Sequence, residues 1–279
     1  MSSSLKTRLI GIIPVIDGTA VQSVNFDTYL PIGDPSLVVE NLNRHDIDEL
    51  VILDIGIYKG FKETDLKVFE ACAQKSLVPI TIGGGINKLS KIKKMFRYYA
   101  DKVALNTSLF ETPELVINSS IRFGSQAIVG SLDVKYDSRL KKFMVYSKGG
   151  LESTNLELNE GISLCEDLGC GEILINSIRD DGKKCGYNKK ILQSIHSTKN
   201  LPILIAGGVG SFKHLAIDKK LHTAGLCVGN YFNFAEHQVL LSKRYLKDLG
   251  YKIRMGIDIH SNTKLSVRMN SQLPPKELS

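Results

Sequence analysis

The sequence predicts an α/β protein: a single (β/α)8 TIM barrel made of two half-barrel repeats. Three observations predict it. Eight short apolar runs rich in β-branched residues recur along the chain, most intervals between them are long enough for a helix, and the two halves resemble each other at an offset of 123 residues. A chain of 279 residues, 43% of them hydrophobic, has the size for one such domain.

The eight runs are "LIGIIPVI", "ELVILDI", "VPITI", "KVALN", "AIVGSLDV", "EILINSI", "LPILIA" and "GLCVGN". Each is nearly continuous rather than alternating, as expected for parallel strands covered on both faces. Amphipathic stretches at 35–45, 64–75, 88–99, 112–123, 157–168, 188–198 and 235–249 supply the helices between and after them. The barrel is assigned to residues 1–254. The remaining stretch, 255–279, has mixed polarity, a Pro-Pro pair and no helical period, which predicts a poorly ordered C-terminal extension.

The offset relates Pro79 to Pro202, Gly84 to Gly207, Gly85 to Gly208 and Glu49 to Glu172. One register therefore links two separate strand pairs, which favours two half-barrels. An open doubly wound sheet has no reason to repeat at half length.

Composition narrows the function. No run reaches the 18 or so apolar residues of a membrane span, and the start "MSSSLKTR" lacks a secretory apolar segment, so the expectation is a soluble cytoplasmic protein. The five cysteines match no zinc or redox spacing, and no histidine has an i, i+4 partner, so neither metal nor cofactor is expected. The net charge of +7 is spread along the chain without an arginine-rich or aromatic-interleaved run. Nucleic-acid binding would favour such a run, and a phosphorylated small molecule explains the charge as well as a polynucleotide does, so no nucleic-acid partner is expected.

In a barrel the loops after the strands build the active face. The glycine turns at 83–85 and 207–210 lie there, each followed one strand later by a small or polar pair, Asn106-Thr107 or Gly229-Asn230. They are either tight turns or two opposed phosphate cradles, and their pairing at one offset favours cradles. Asp133 and Asp54 end apolar strands, where a carboxylate either moves protons or caps a loop. Asp180 and Asp181 follow the sixth strand and either line the site or are solvated. Arg8, Glu49, Lys102 and Glu172 stand at strand starts, so they meet at the bottom of the barrel, as a closing ring or as ordinary surface charges.

The stretches "GDPSLVVENLNRHDIDELVILDI", "GGGI", "ADKVALNT", "RFGSQAIVGSLDVK", "GCGEILINSIRDDGKKCGY" and "IAGGVGSFKHL" together resemble the cyclase subunit of imidazole glycerol phosphate synthase, HisF, from about Arg8 to about Arg254. The resemblance implies a barrel that docks a HisH-type glutaminase on its lower face and passes ammonia upward to a doubly phosphorylated substrate. It assigns one phosphate to Gly84, Gly85, Asn106 and Thr107 and the other to Gly207, Gly208, Gly229 and Asn230. It makes Asp133 the catalytic aspartate of the fifth strand and Arg8, Glu49, Lys102 and Glu172 the ammonia gate, and Asp101 matches a glutaminase contact.

Departures accompany the match. The family's other catalytic aspartate, in a run like "CLDVKDG", falls on Pro14 of "IIPVIDG", and Asp17 matches a later loop acid that is a substitute only if residues are lost after it. A substrate-loop lysine is Gln22, and the usual "DRDG" is Arg179-Asp180-Asp181-Gly182, with Asp181 kept toward the substrate. These changes resemble the HisF-like WbuZ group, associated with amidation of sugars for surface polysaccharide alongside a HisH-like glutaminase and a separate amidotransferase.

Overall fold

The computed structural model describes residues 6–196, 201–218, 221, 223–233 and 238–254. The predicted extension from 255 lies outside them.

The predicted strands form and close. They are β1 (Arg8–Ile16), β4 (Glu49–Asp54), β5 (Ile80–Gly83), β6 (Lys102–Leu105), β7 (Ile128–Asp137), β10 (Glu172–Ser177), β11 (Ile203–Ala206) and β12 (Gly225–Val228). All eight run parallel in that order. Arg8 pairs with Gly225 and Glu172 with Val129, so no edge is left open.

Helices α1 (Pro35–Arg44), α2 (Leu66–Lys75), α3 (Leu89–Tyr98), α4 (Thr107–Glu111), α5 (Pro113–Phe123), α6 (Leu158–Asp167), α7 (Lys189–Gln193) and α8 (Gln238–Asp248) surround the sheet. Their starts are chemically marked. Asp34 caps α1 by accepting from the Ser36 N–H at 2.8 Å ahead of Pro35, and Glu157 with Glu160 forms a reciprocal box on α6. Val38, Val39 and Leu42 then place one face of α1 in the core.

Two hairpins escape the strand expectation. β2 (Thr19–Val24) and β3 (Thr28–Gly33) extend β1, while β8 (Lys142–Ser147) and β9 (Glu152–Glu157) extend β7. The turn between β1 and β2 is the two-residue Asp17-Gly18, with φ of 46° and 77°, the backbone that an Asp-Gly pair favours in a tight hairpin. Asp17 is therefore an exposed turn residue.

The repeat extends to element boundaries. Adding 123 to the bounds of α1, β2, β4, β5 and β6 gives those of α6, β8, β10, β11 and β12. Both hairpins also leave the first strand of their half.

Core residues divide into two groups. A large shell packs between strands and helices. A smaller set, including Ile10, Val51, Val129, Leu174 and Leu204, fills the barrel interior. Below these, Lys243 of α8 is fully buried and bonds Asp48 at 2.8 Å and Asp46 at 3.0 Å. Asp48 also accepts from the Leu9 N–H at 2.7 Å, so one ammonium ties α8 to the barrel floor.

Candidate active site

The carboxyl ends of all eight barrel strands open onto one cleft of about 1240 Å³, its solvent-open mouth included. It is lined by Asp133, Asp181, both glycine turns, Asn106, Thr107, Gly229 and Asn230, so the sequence-predicted residues of the upper face come together.

The glycine turns share a backbone. Gly84 and Gly85 have φ of 104° and 56°, and their repeats Gly207 and Gly208 have 98° and 94°. A Cβ on Gly84 would lie 2.2 Å from the Asp54 carbonyl oxygen, and one on Gly208 would lie 2.1 Å from that of Gly186, so these positions require glycine. The four N–H groups find no acceptor among the described residues, which leaves them to an anion or to water. Lys91 of α3 donates to the Gly85 carbonyl at 3.0 Å and adds a cation beside the first turn.

The side chains of both polar pairs are largely committed to the fold. The Asn106 amide donates to the carbonyls of Ser131 at 2.9 Å and Tyr146 at 3.2 Å, and the Asn230 amide donates to that of Ser23 at 2.9 Å. The Thr107 hydroxyl accepts from the Lys148 N–H at 3.2 Å. The side chains thus fix the loops, and what these loops can offer an anion is backbone N–H groups.

Asp133 is buried at the end of the parallel part of β7. Burial, with the charge of Asp181 adding to it and Lys59 opposing, pushes its carboxyl up to about 7. Asp181 is held by the Ser23 hydroxyl at 2.6 Å and the Phe26 N–H at 3.3 Å, yet burial outweighs both and pushes it up to about 6. Two carboxyls that titrate near neutrality in one cleft suit proton transfer.

Other acids are occupied. Asp54 caps its loop, accepting from Gly56 N–H at 3.1 Å and Thr64 N–H at 2.7 Å. Asp180 accepts from the Ser177 hydroxyl at 2.5 Å and the Asn188 amide at 2.9 Å. Asp17 stands outside the cleft lining, whereas Pro14 faces into it from β1. The N–H of even-numbered residues of β1 points toward β12, as the Arg8 to Ala224 bond shows, and that pairing stops at Gly11. Pro14 thus costs the sheet no hydrogen bond and presents no ionisable group to the cleft.

At the opposite end the four predicted charges form a closed ring. Arg8 bonds Glu49 at 2.8 Å and also Glu172, while Lys102 bonds Glu49 at 3.3 Å and Glu172 at 2.9 Å. Their side chains are only 6–19% exposed, so this is no ordinary surface cluster. Glu49 and Lys102 also line a shallow depression with Phe96, Asp101 and Phe123. Asp101 accepts there from the Ile80 N–H at 2.8 Å.

All five cysteines are free, and four are buried. No helix among the described residues is long and apolar enough to cross a membrane.

The sequence reading missed Lys59, which lines the cleft from the turn after β4. It belongs to no motif, and its only sequence signal is the pair of glycines, Gly56 and Gly60, that bracket the turn.

Comparison with known proteins agrees with this geometry. The model of the family described as histidine biosynthesis protein matches residues 8–238. The HisF subunit of imidazole glycerol phosphate synthase from Bacillus velezensis is 35% identical over 248 residues, covering 88% of this chain and 98% of the relative. That from Staphylococcus carnosus is 33% identical over 251 residues, covering 90% and 99%. The chain belongs to the histidine biosynthesis protein family, as a HisF-like barrel.

Proposed function

We propose that this protein is the ammonia-using synthase subunit of a two-chain glutamine amidotransferase, with a HisH-like glutaminase docked on its lower face. The observation that carries the reading is the axial arrangement: a charge ring below, an apolar interior, and Asp133 between two glycine turns above. Neutral ammonia crosses an apolar interior at little cost, while ammonium does not. When the ring's ion pairs part, ammonia leaves the glutaminase without meeting solvent.

In the cleft the two turns hold the two phosphates of the ribulosyl formimino precursor, and Asp133 transfers protons as ammonia adds. Imidazole glycerol phosphate and the aminoimidazole carboxamide ribotide leave as products. Purified protein given this precursor and an ammonium salt forms the imidazole product. Asp133→Asn lowers that rate by roughly 10²–10⁴, and an unchanged rate removes Asp133 from the mechanism.

Pro14 favours a second reading. With no acid on β1, the barrel serves as a paralogue that delivers ammonia to a sugar amidotransferase for surface polysaccharide. Absence of any imidazole product at saturating ammonium selects this reading over the cyclase.

A further inference from the structure

Pro14 leaves the β1 side of the cleft without charge, and among the described lining residues a single cation is present, Lys59. It ends the turn Ile57–Lys59, its N–H bonded to the Gly56 carbonyl at 2.9 Å, before the chain reverses at Gly60. Its amine donates to the Phe26 carbonyl and lies 5.4 Å from the centroid of the Tyr29 ring. Its Cε packs against Gly149, where an added Cβ would stand at 3.5 Å. Three loops therefore converge on one ammonium: its own after β4, the β2–β3 hairpin and the β8–β9 turn.

An ammonium has three donors, and Phe26 takes one, leaving two for the cleft. The acids acting on it are Asp133 from β7 and Asp27 from the β2–β3 turn. Asp181, from the loop after β10, acts on Asp133 and, with Asp27 and Asp133, on the Tyr29 phenol. Burial draws the Lys59 amine below its ordinary range, and the two acids oppose that.

We propose that Lys59 is the substrate-contacting cation of this cleft and the charge partner of Asp133, supplying from the loop after β4 the second charged group that Pro14 denies to β1. The ammonium donates to an anionic or carbonyl oxygen of the substrate while the Asp133 carboxylate takes a proton. The substrate half of this inference rests on the proposed reaction; the pairing with Asp133 does not.

The pairing is read by titrating the Asp133 carboxyl by NMR in the full chain carrying ¹³C-aspartate, with Asp133→Asn to assign the signal. Lys59→Met moves the Asp133 titration to higher pH, and Lys59→Arg keeps it near the wild-type value. Lys59→Gln, which retains a donor for Phe26, gives the same upward shift if the Met variant does not fold. An Asp133 titration unmoved by loss of the charge overturns the pairing.

Calorimetry reads the contact. Lys59→Met weakens binding of the ribulosyl formimino precursor about 10-fold or more, and binding of inorganic phosphate at the glycine turns is unchanged. Equal loss of both probes, or of neither, overturns the contact. A wild-type protein that binds phosphate but not the precursor sinks the proposed reaction, and the NMR titration still decides the pairing.

Discussion

Asp133 and Asp54 end apolar strands in the same way, and only their surroundings separate them. The Asp54 carboxylate is consumed by two backbone N–H groups, while that of Asp133 remains available in the cleft. Burying Asp133 has a thermodynamic signature. An unfolded aspartate releases its proton near pH 4, whereas the folded one keeps it to about 7. Between those values the folded state binds more protons, so this group makes stability fall as pH rises. Asp133→Asn removes that dependence. Its melting temperature relative to wild type should rise from pH 5 to pH 8 as its turnover is lost, and a constant difference across that range contradicts the assignment. At the second glycine turn, Gly208→Ala forces a Cβ against the Gly186 carbonyl at a φ of 94°. It should cost about 1–3 kcal/mol in urea unfolding and weaken phosphate binding measured by calorimetry.

At the scale of elements, the strands were legible in the sequence because buried parallel strands leave continuous apolar runs, and α1 was legible because its apolar residues recur at helical spacing over 35–45. The hairpins were not. "TAVQSVNFDTYLPIG" carries polar residues at the mouth of the cleft, and Asp17 in the Asp17-Gly18 turn also matches a family loop acid, which masks the hairpin signal. Of the expected 188–198 helix, α7 ends at Gln193 and residues 194–196 do not continue it, while 197 and 198 lie outside the described residues. The ion pairs of α8 were equally hidden, because Lys243 is separated from Asp46 and Asp48 by most of the chain. Lys243→Met leaves Asp48 buried without its cation. The expected loss is about 3–5 kcal/mol in urea unfolding, with the barrel strands intact by circular dichroism; a loss under 1 kcal/mol would show that the pair does not hold α8 down.

For the molecule as a whole, the offset of 123 was readable from a few glycines, prolines and glutamates, and it governs the positions of helices, hairpins and strands alike. That symmetry puts one glycine turn with open N–H groups on each half and a cleft between them. The bottom ring was readable as four strand-start charges, but its closure depends on inter-strand geometry that no local spacing encodes. Opening this ring should separate the two sources of nitrogen. Glu172→Gln, which disturbs one corner, should reduce glutamine-dependent turnover several-fold more than ammonium-dependent turnover, and equal reduction of both would remove the ring from the ammonia path.

The most direct test of ammonia travel through the barrel uses the complex with its glutaminase, glutamine labelled with ¹⁵N in the amide, and an excess of unlabelled ammonium. The account predicts that the aminated product keeps the ¹⁵N of glutamine. Label diluted to the proportion of ammonium in the solution would contradict it.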